Sequence, residues 1–456
     1  MKTIAEPRVK IYSALKEIRE RYHFAPLDEG PNGKLMPKNL VLMTLSYLLD
    51  KNHLLIGEPG WGKTTGAKII AAALSGVPYD LFDAMEIRGN PQKYEEKIVA
   101  RFHYGKLSTG IEEVKWQGTF ALPVLVVDEG NRLPYDSQDV ILQGIDTGRW
   151  NYWNASFFEG KKPTFITMNE RPGDHHQNGF VNALKDRFDI ITEEKYWTTM
   201  RIFEYVKAKR TVAKELCDPV YTNAAIEKLS RNFDDYRKAI SGRLVSGRLK
   251  PEERIAIQEE ILEMDMDNDA MLFLQAFMAE IDFSRQFGCK RSSDPPSTDT
   301  HDKNYAGVAV RNSFSPRSAM AMEYASALAW FLGETQTRLD HMRFVLPYLY
   351  AHKAEFSDDY RNKHGNDVRT DCEMIHLGKT VVDEVHTRYA QCIQPMKNFI
   401  ARLQSHEISA EELENKQLNM GDGQVMSLKE VDHDHPLMKD LVREFWNGEK
   451  KAFYEE

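Results

Sequence analysis

GEPGWGKTT, residues 57–65, stands directly behind the apolar run HLLI and opens the helical stretch TTGAKIIAAALSG. Gly57, Gly60, Gly62, Lys63 and Thr64 fit the spacing GxxxxGK[ST]. Glycines at these positions let the backbone turn so that successive N–H groups face an anion. The helix behind them adds its positive end, Lys63 can reach terminal phosphates, and Thr64 can hold a divalent cation. A strand in front and a helix behind are the context this chemistry requires. Glu58, Pro59, Trp61 and Thr65 complete the set of candidate nucleotide contacts.

Outward from this loop, short apolar runs alternate with helical stretches over residues 53–197. HLLIG, PYDLFDA, LPVLVVDE, TFITMNE and FDIIT read as strands; SQDVILQGIDTG and GFVNALKDRF read as helices. Buried strands alternating with helices predict an α/β fold with a parallel sheet covered on both faces. LPVLVVDE places Asp128 and Glu129 at the carboxyl end of an apolar strand, where ligands of open α/β sheets bind. Asp128 can then hold Mg²⁺ and Glu129 can polarise an attacking water. Asn169 ends the strand TFITMNE and can orient that water or touch the terminal phosphate. Arg187 in LKDRFD precedes the last strand; a structural salt bridge is its plain alternative. Arg317 in SPRSAM falls in the first turn of a later helix, where a cation opposes the helix dipole and an anionic partner gains weight.

The bulk composition narrows the partners. Of 456 residues, 42% are hydrophobic and 28% charged, as in ordinary globular chains, and 456 residues suffice for two to four domains. No apolar run is long enough to span a membrane, and the start lacks the apolar stretch of a signal peptide, so the expected location is cytoplasmic. Cys217, Cys289, Cys372 and Cys392 show no CxxC spacing and read as reduced thiols. A net charge of −9 argues against broad nucleic-acid binding, although charge averages hide local patches. His433, Asp434 and His435 in HDHPLM read as a solvated charged loop rather than a metal site.

Taken in order, GEPGWGKT, LVVDEGNRLP, FITMNE, LKDRFD and SPRSAMAM resemble the MoxR family of AAA+ ATPases, a member of the helix-2-insert branch, over roughly residues 35–355. The resemblance implies an αβα P-loop core with a five-stranded parallel sheet, an α-helical lid and a ring of subunits, usually six. It implies that residues 57–64 are Walker A, Asp128 and Glu129 Walker B, Asn169 sensor 1, and Arg317 sensor 2. Arg187 matches the arginine finger given in trans to a neighbour's nucleotide, a role worth about 10³–10⁵ in rate in related GTPases. ATP with Mg²⁺ is the implied cofactor pair, adenine resting on the resemblance alone. RFHYGKLSTGIEEVKWQGTF carries the polar interruption expected of the helix-2 insert. RWNYWNASFFEGKKPTFITM reads as a hairpin turning at Glu159, Gly160, Lys161 and Lys162, and both elements would face the ring pore. Arg132 either lines a subunit interface or pins the local loop.

The expected organisation is a helical lead-in over 1–40, the ATPase core over 41–197, a helical lid over 198–355 with an insertion near 215–305, and a helical extension over 356–456. Ring-forming remodelling of a partner protein or complex, a chaperone-like task, leads the functional readings. The family is typically paired with a separate von Willebrand A domain protein. A nucleic-acid motor of MCM type or a GTP-driven restriction-type translocase ranks second, with the lysines of GKKPT as its contact. A nucleotide-gated scaffold ranks third, since Glu129, Asn169 and Arg187 are all present.

Overall fold

The computed structural model describes residues 5–22, 27–103, 105, 110, 112–158, 160–169, 185–194, 199–200, 202–203, 214–284, 288–289, 306–311, 320–367, 371–404, 417–419, 425–427 and 437. The chain divides into two compact units, residues 1–265 with 323–335, and residues 266–322 with 336–456.

The first unit is built on five parallel strands: β1 (Asn52–Ile56), β2 (Ile87–Arg88), β3 (Leu125–Asp128), β4 (Thr164–Thr167) and β5 (Ile190–Glu193). Their order across the sheet is β5-β1-β4-β3-β2. Thr164 pairs with both Asn52 and Leu125, and Ile190 with His53, so all the carboxyl ends fall on one edge. Helix α1 (Lys38–Leu49) is buried almost throughout, with Leu40, Val41, Leu42, Met43, Leu45 and Leu48 at most 1% exposed. At about 1.5–3 kcal/mol per buried aliphatic side chain, these contacts anchor the helix to the sheet. Helix α2 (Lys63–Ser75) starts at Gly62 and ends at Gly76, both left-handed. No described helix is long and apolar enough to cross a membrane.

A polar chain runs through this core. His53 of β1 bonds Ser46 of α1 through Nδ1 at 2.8 Å and Thr192 of β5 through Nε2 at 2.7 Å. Ser46 Oγ also meets the Tyr324 hydroxyl at 2.9 Å, on the helix Ala321–Leu332. Burial pushes the His53 pKa down to about 3, which keeps the imidazole neutral.

Two local expectations are corrected. PYDLFDA is not a strand but helix α3 (Tyr79–Met85), with Pro78 at its cap and Asp80 in its first turn. A short apolar run cannot be assigned by periodicity, and here the Pro–Asp start decides for helix. The hairpin of Arg149–Tyr152 and Ala155–Phe158 turns at Trp153 and Asn154, before the Gly-Lys-Lys stretch. Trp153 takes a φ of +52°, where glycine or asparagine is usual, so Asn154 was the turn's only residue signal and it stands one position late. A second antiparallel pair, Ala100–Phe102 with Val114–Trp116, borders the expected insert, and Phe102 packs on Tyr152 and Trp153. The two elements expected at the pore therefore meet each other.

Helix α4 (Tyr135–Thr147) packs against the hairpin strand Arg149–Tyr152, and α5 (Pro219–Arg231), α6 (Phe233–Val245) and α7 (Pro251–Leu262) belong to the same unit. The second unit packs α8 (Asn268–Asp282), α9 (Leu339–Tyr350) and α10 (Glu373–Gln404). There Glu280 is fully buried, and Arg388 donates to it through its Nε–H, shared between both carboxylate oxygens at 3.0 Å, and through Nη2. A buried carboxylate needs such a paired cation. His433, Asp434 and His435 lie outside the described residues, and no metal-binding group of His, Cys, Asp and Glu occurs among the described ones.

Candidate nucleotide site

The site forms at the carboxyl edge of the sheet, where β1 runs into the loop 57–62 and then α2. Gly57 has a φ of +133°, and a Cβ there would stand 2.6 Å from the Glu194 carbonyl oxygen. Only glycine lets the loop pass this close to the end of β5. Lys63, 6% exposed, donates to the carbonyls of Gly57 and Glu58 and to Asn169 Oδ1, each at 2.8 Å. Burial pushes the Lys63 pKa down, against the opposing pull of Asp128, Glu129, Glu194 and Glu58. Such an amine is a partly desolvated cation at the head of a helix, suited to binding phosphate oxygens.

Thr64 Oγ1 donates to Asp128 Oδ1, and so does Thr167 Oγ1 at 2.9 Å. Thr167 Oγ1 in turn accepts the Glu129 backbone N–H at 2.9 Å. Glu129 adopts a φ of +50°, a left-handed conformation that costs a non-glycine residue roughly 1–2 kcal/mol. Its N–H bond to Thr167 Oγ1 holds it there, and strain of this kind gathers at working sites. Asn169 Nδ2 donates to Glu129 Oε1, while Arg132 Nη1 holds Glu129 Oε2 at 2.5 Å. Asn169 thus bridges Lys63 and Glu129. Within the chain, Arg132 therefore pins the glutamate.

Glu58, Pro59 and Trp61 lie in the loop itself, and the Thr65 hydroxyl bonds the Tyr79 phenol. Arg187 is elsewhere. It precedes β5, so it sits at the amino edge of the sheet, where Asn52 Nδ2 donates to its carbonyl at 3.0 Å. Its guanidinium lies 3.4 Å from Asp146 and 3.2 Å from Asp186. The length of β1, about 13 Å at 3.3 Å per residue, separates that edge from its own phosphate loop. Arg317 lies outside the described residues.

Three contributors escaped the sequence. Thr167 stands two residues before Asn169, hence on the same face of β4, and the strand period could have marked it. Asp146, at the end of α4, pairs with Arg187 by tertiary contact alone. Gly89 donates its N–H to the Asp128 carbonyl at 2.6 Å, and a Cβ there would stand 1.9 Å from the Glu129 carbonyl oxygen. The NPQ context of Gly89 gave no hint of that approach.

The arrangement supplies a phosphate cradle, oxygen donors at Thr64 and Asp128, and a carboxylate at Glu129 that can accept a proton from water. Residues 52–188 match the model of the AAA domain, dynein-related subfamily. Among solved structures, a candidate ATPase from Cytophaga hutchinsonii aligns with a TM-score of 0.58 at 14% identity, covering 84% of this chain and 94% of that one. A full-length MCM homolog from Methanopyrus kandleri aligns with a TM-score of 0.40 at 12% identity, over 78% of this chain and 63% of that one. No curated protein matches the chain. With the P-loop geometry above, the AAA-domain match and the Cytophaga alignment establish an AAA+ fold, and the chain is an ATP-hydrolysing P-loop enzyme.

Proposed function

We propose that this enzyme works as a MoxR-like ring, in its simplest form a hexamer, that remodels or assembles a partner protein or complex in the cytoplasm. A separate von Willebrand A domain protein is its expected adaptor. The observation that carries the ring is the place of Arg187, at the edge of the sheet away from its own phosphate loop. An arginine finger acting in trans belongs at such an edge. Within one subunit, Lys63 would bind terminal phosphates, Glu129 would take the proton of the attacking water, and Asn169 would orient that water. Thr64 and Asp128 fit Mg²⁺, because both are hard oxygen donors already joined by a hydrogen bond. The ion would neutralise phosphate charge.

Subunit mixing tests the shared site. Glu129→Gln and Arg187→Ala should each be inactive alone. An equal mixture should regain about a quarter of wild-type hydrolysis, one half times one half, because sites pairing an intact Glu129 with a neighbour's intact Arg187 reappear in a closed ring. No recovery in a mixture shown to co-assemble would sink the trans reading. For the adaptor, an affinity pull-down that repeatedly yields no von Willebrand A domain protein would count against the pairing. The nucleic-acid reading loses one support: Lys162 Nζ donates to the Leu122 carbonyl at 3.0 Å and to that of Phe120, so its ammonium is engaged inside the chain.

A further inference from the structure

The amino edge of the sheet carries a cavity of about 180 Å³, closed partly by the core and partly by the helices that follow it. Tyr47 of α1, the loops before β3 and β4, and residues of α6 and α7 line it. Four cations contribute to its wall: Lys161, Lys162, Lys250 and Arg254. No acidic side chain is among the described lining residues. Nearby Asp50 is engaged from behind, by Arg254 at 3.0 Å and Gln258 Nε2 at 2.9 Å, and Glu253 is held by Lys10 at 2.5 Å.

Two of the four cations are fixed in place. Lys162 is tied to the carbonyls of Phe120 and Leu122, and Arg254 lies over the Tyr47 ring at 5.5 Å while paired with Asp50. Lys161 and Lys250 are exposed and form no ion pair among the described residues. Glu253 and Asp50 offset part of this charge from outside the lining, but holding four cations around one small concavity still costs stability through repulsion, and an anion entering it relieves that cost. The volume is below the roughly 300–1,000 Å³ of a typical small-molecule site, so a whole nucleotide is a poor fit. An acidic side chain fits, and Leu122, Leu244 and Leu249 supply apolar wall beside the charges.

We propose that this basic cleft docks a polypeptide segment in which acidic and apolar residues alternate, an acidic side chain entering between Lys161 and Lys250. The site is separate from the nucleotide site and does not depend on the ring proposal. The full-length chain would be titrated into a fluorescein-labelled peptide of alternating Glu and Leu, and into the same peptide with Gln for Glu. Inorganic phosphate would serve as competitor. Binding of the Glu peptide should weaken as salt rises and fall at least about tenfold in the double variant Lys161→Glu/Lys250→Glu. The milder Lys161→Gln/Lys250→Gln should fall between the two, and ATP hydrolysis should be unchanged in both, which certifies their fold. Equal binding by the charge-reversed variant, or equal binding of the Gln peptide, would overturn the proposal. So would phosphate binding that depends on the two lysines with no binding of the Glu peptide, which would leave a small-anion site only.

Discussion

The two ends of one sheet are equipped in opposite ways. At the carboxyl end, Lys63, Thr64, Asp128, Glu129, Thr167 and Asn169 bond to one another in a continuous network. At the amino end, the backbone is held firmly, with Asn52 N–H on Asp189 at 2.8 Å and Asn52 Nδ2 on the Arg187 carbonyl. The charged heads there, Arg187 beside Asp146 and Asp186 and the exposed Lys161 and Lys250 of the basic cleft, belong to no comparable side-chain network among the described residues. A network closed on itself can be completed by substrate alone. Cations presented at an edge are of use to something outside the fold, which under the proposals above means a neighbouring subunit and a partner peptide.

The comparison breaks first at Arg187. Arg187→Ala should lower ATP hydrolysis about 10³–10⁵-fold while leaving nucleotide binding intact. Activity close to wild type would mean that the carboxyl end is sufficient by itself. Glu129→Gln should lower hydrolysis about 10²–10⁴-fold, again with binding retained, because it removes the proton acceptor and preserves the contact to Asn169. Trapped, unhydrolysed nucleotide in a filter-binding assay is the expected signature.

Gly89→Ala sharpens the comparison structurally. Its Cβ would collide with the Glu129 carbonyl, so the carboxyl network must shift. A loss of about 3 kcal/mol in urea denaturation, with hydrolysis lost, is expected, at the upper end of overpacking costs. A neutral result would show that the close approach of β2 to Glu129 is not needed.

His53 ties the network's strand to β5 and to Tyr324, and it titrates predictably. Its folded pKa, about 3, lies below the ordinary 6.5, so the stability it contributes is present above pH 6.5. That stability is lost as pH falls from 6.5 towards 3, because the unfolded chain binds a proton the folded one refuses. The slope is about 1.4 kcal/mol per pH unit in that window. His53→Asn should flatten the dependence of the denaturation midpoint between pH 6.5 and 5; an unchanged slope would assign the dependence to other groups. Asp146→Asn should have the smallest effect, a change of a few-fold at most in hydrolysis, since an ion pair whose two side chains are still 26% and 27% exposed to water is worth about 0.2–1 kcal/mol. An increase would indicate that Asp146 restrains Arg187; a decrease, that it aims it.

Much of the carboxyl end was legible in the chain itself. A phosphate loop must be glycine-rich and must join a strand to a helix, so Gly57 to Lys63 announce both fold and chemistry. Asp128, Glu129 and Asn169 were legible because apolar runs end on them, and the end of a parallel strand is where ligands bind. The order of motifs did the same for Arg187, but only as a role, not as a place. PYDLFDA and the hairpin turn at Trp153 were misread because short or uniformly aromatic runs carry no decisive period, and neighbours settle them. What only the tertiary structure decided is whatever depends on two distant segments meeting: Gly89 under Glu129, Asp146 beside Arg187, and four cations from separate loops and helices around one cleft. Local sequence determines the conformations a segment prefers, whereas contacts between segments are chosen by the packing of the whole core, which no single stretch encodes.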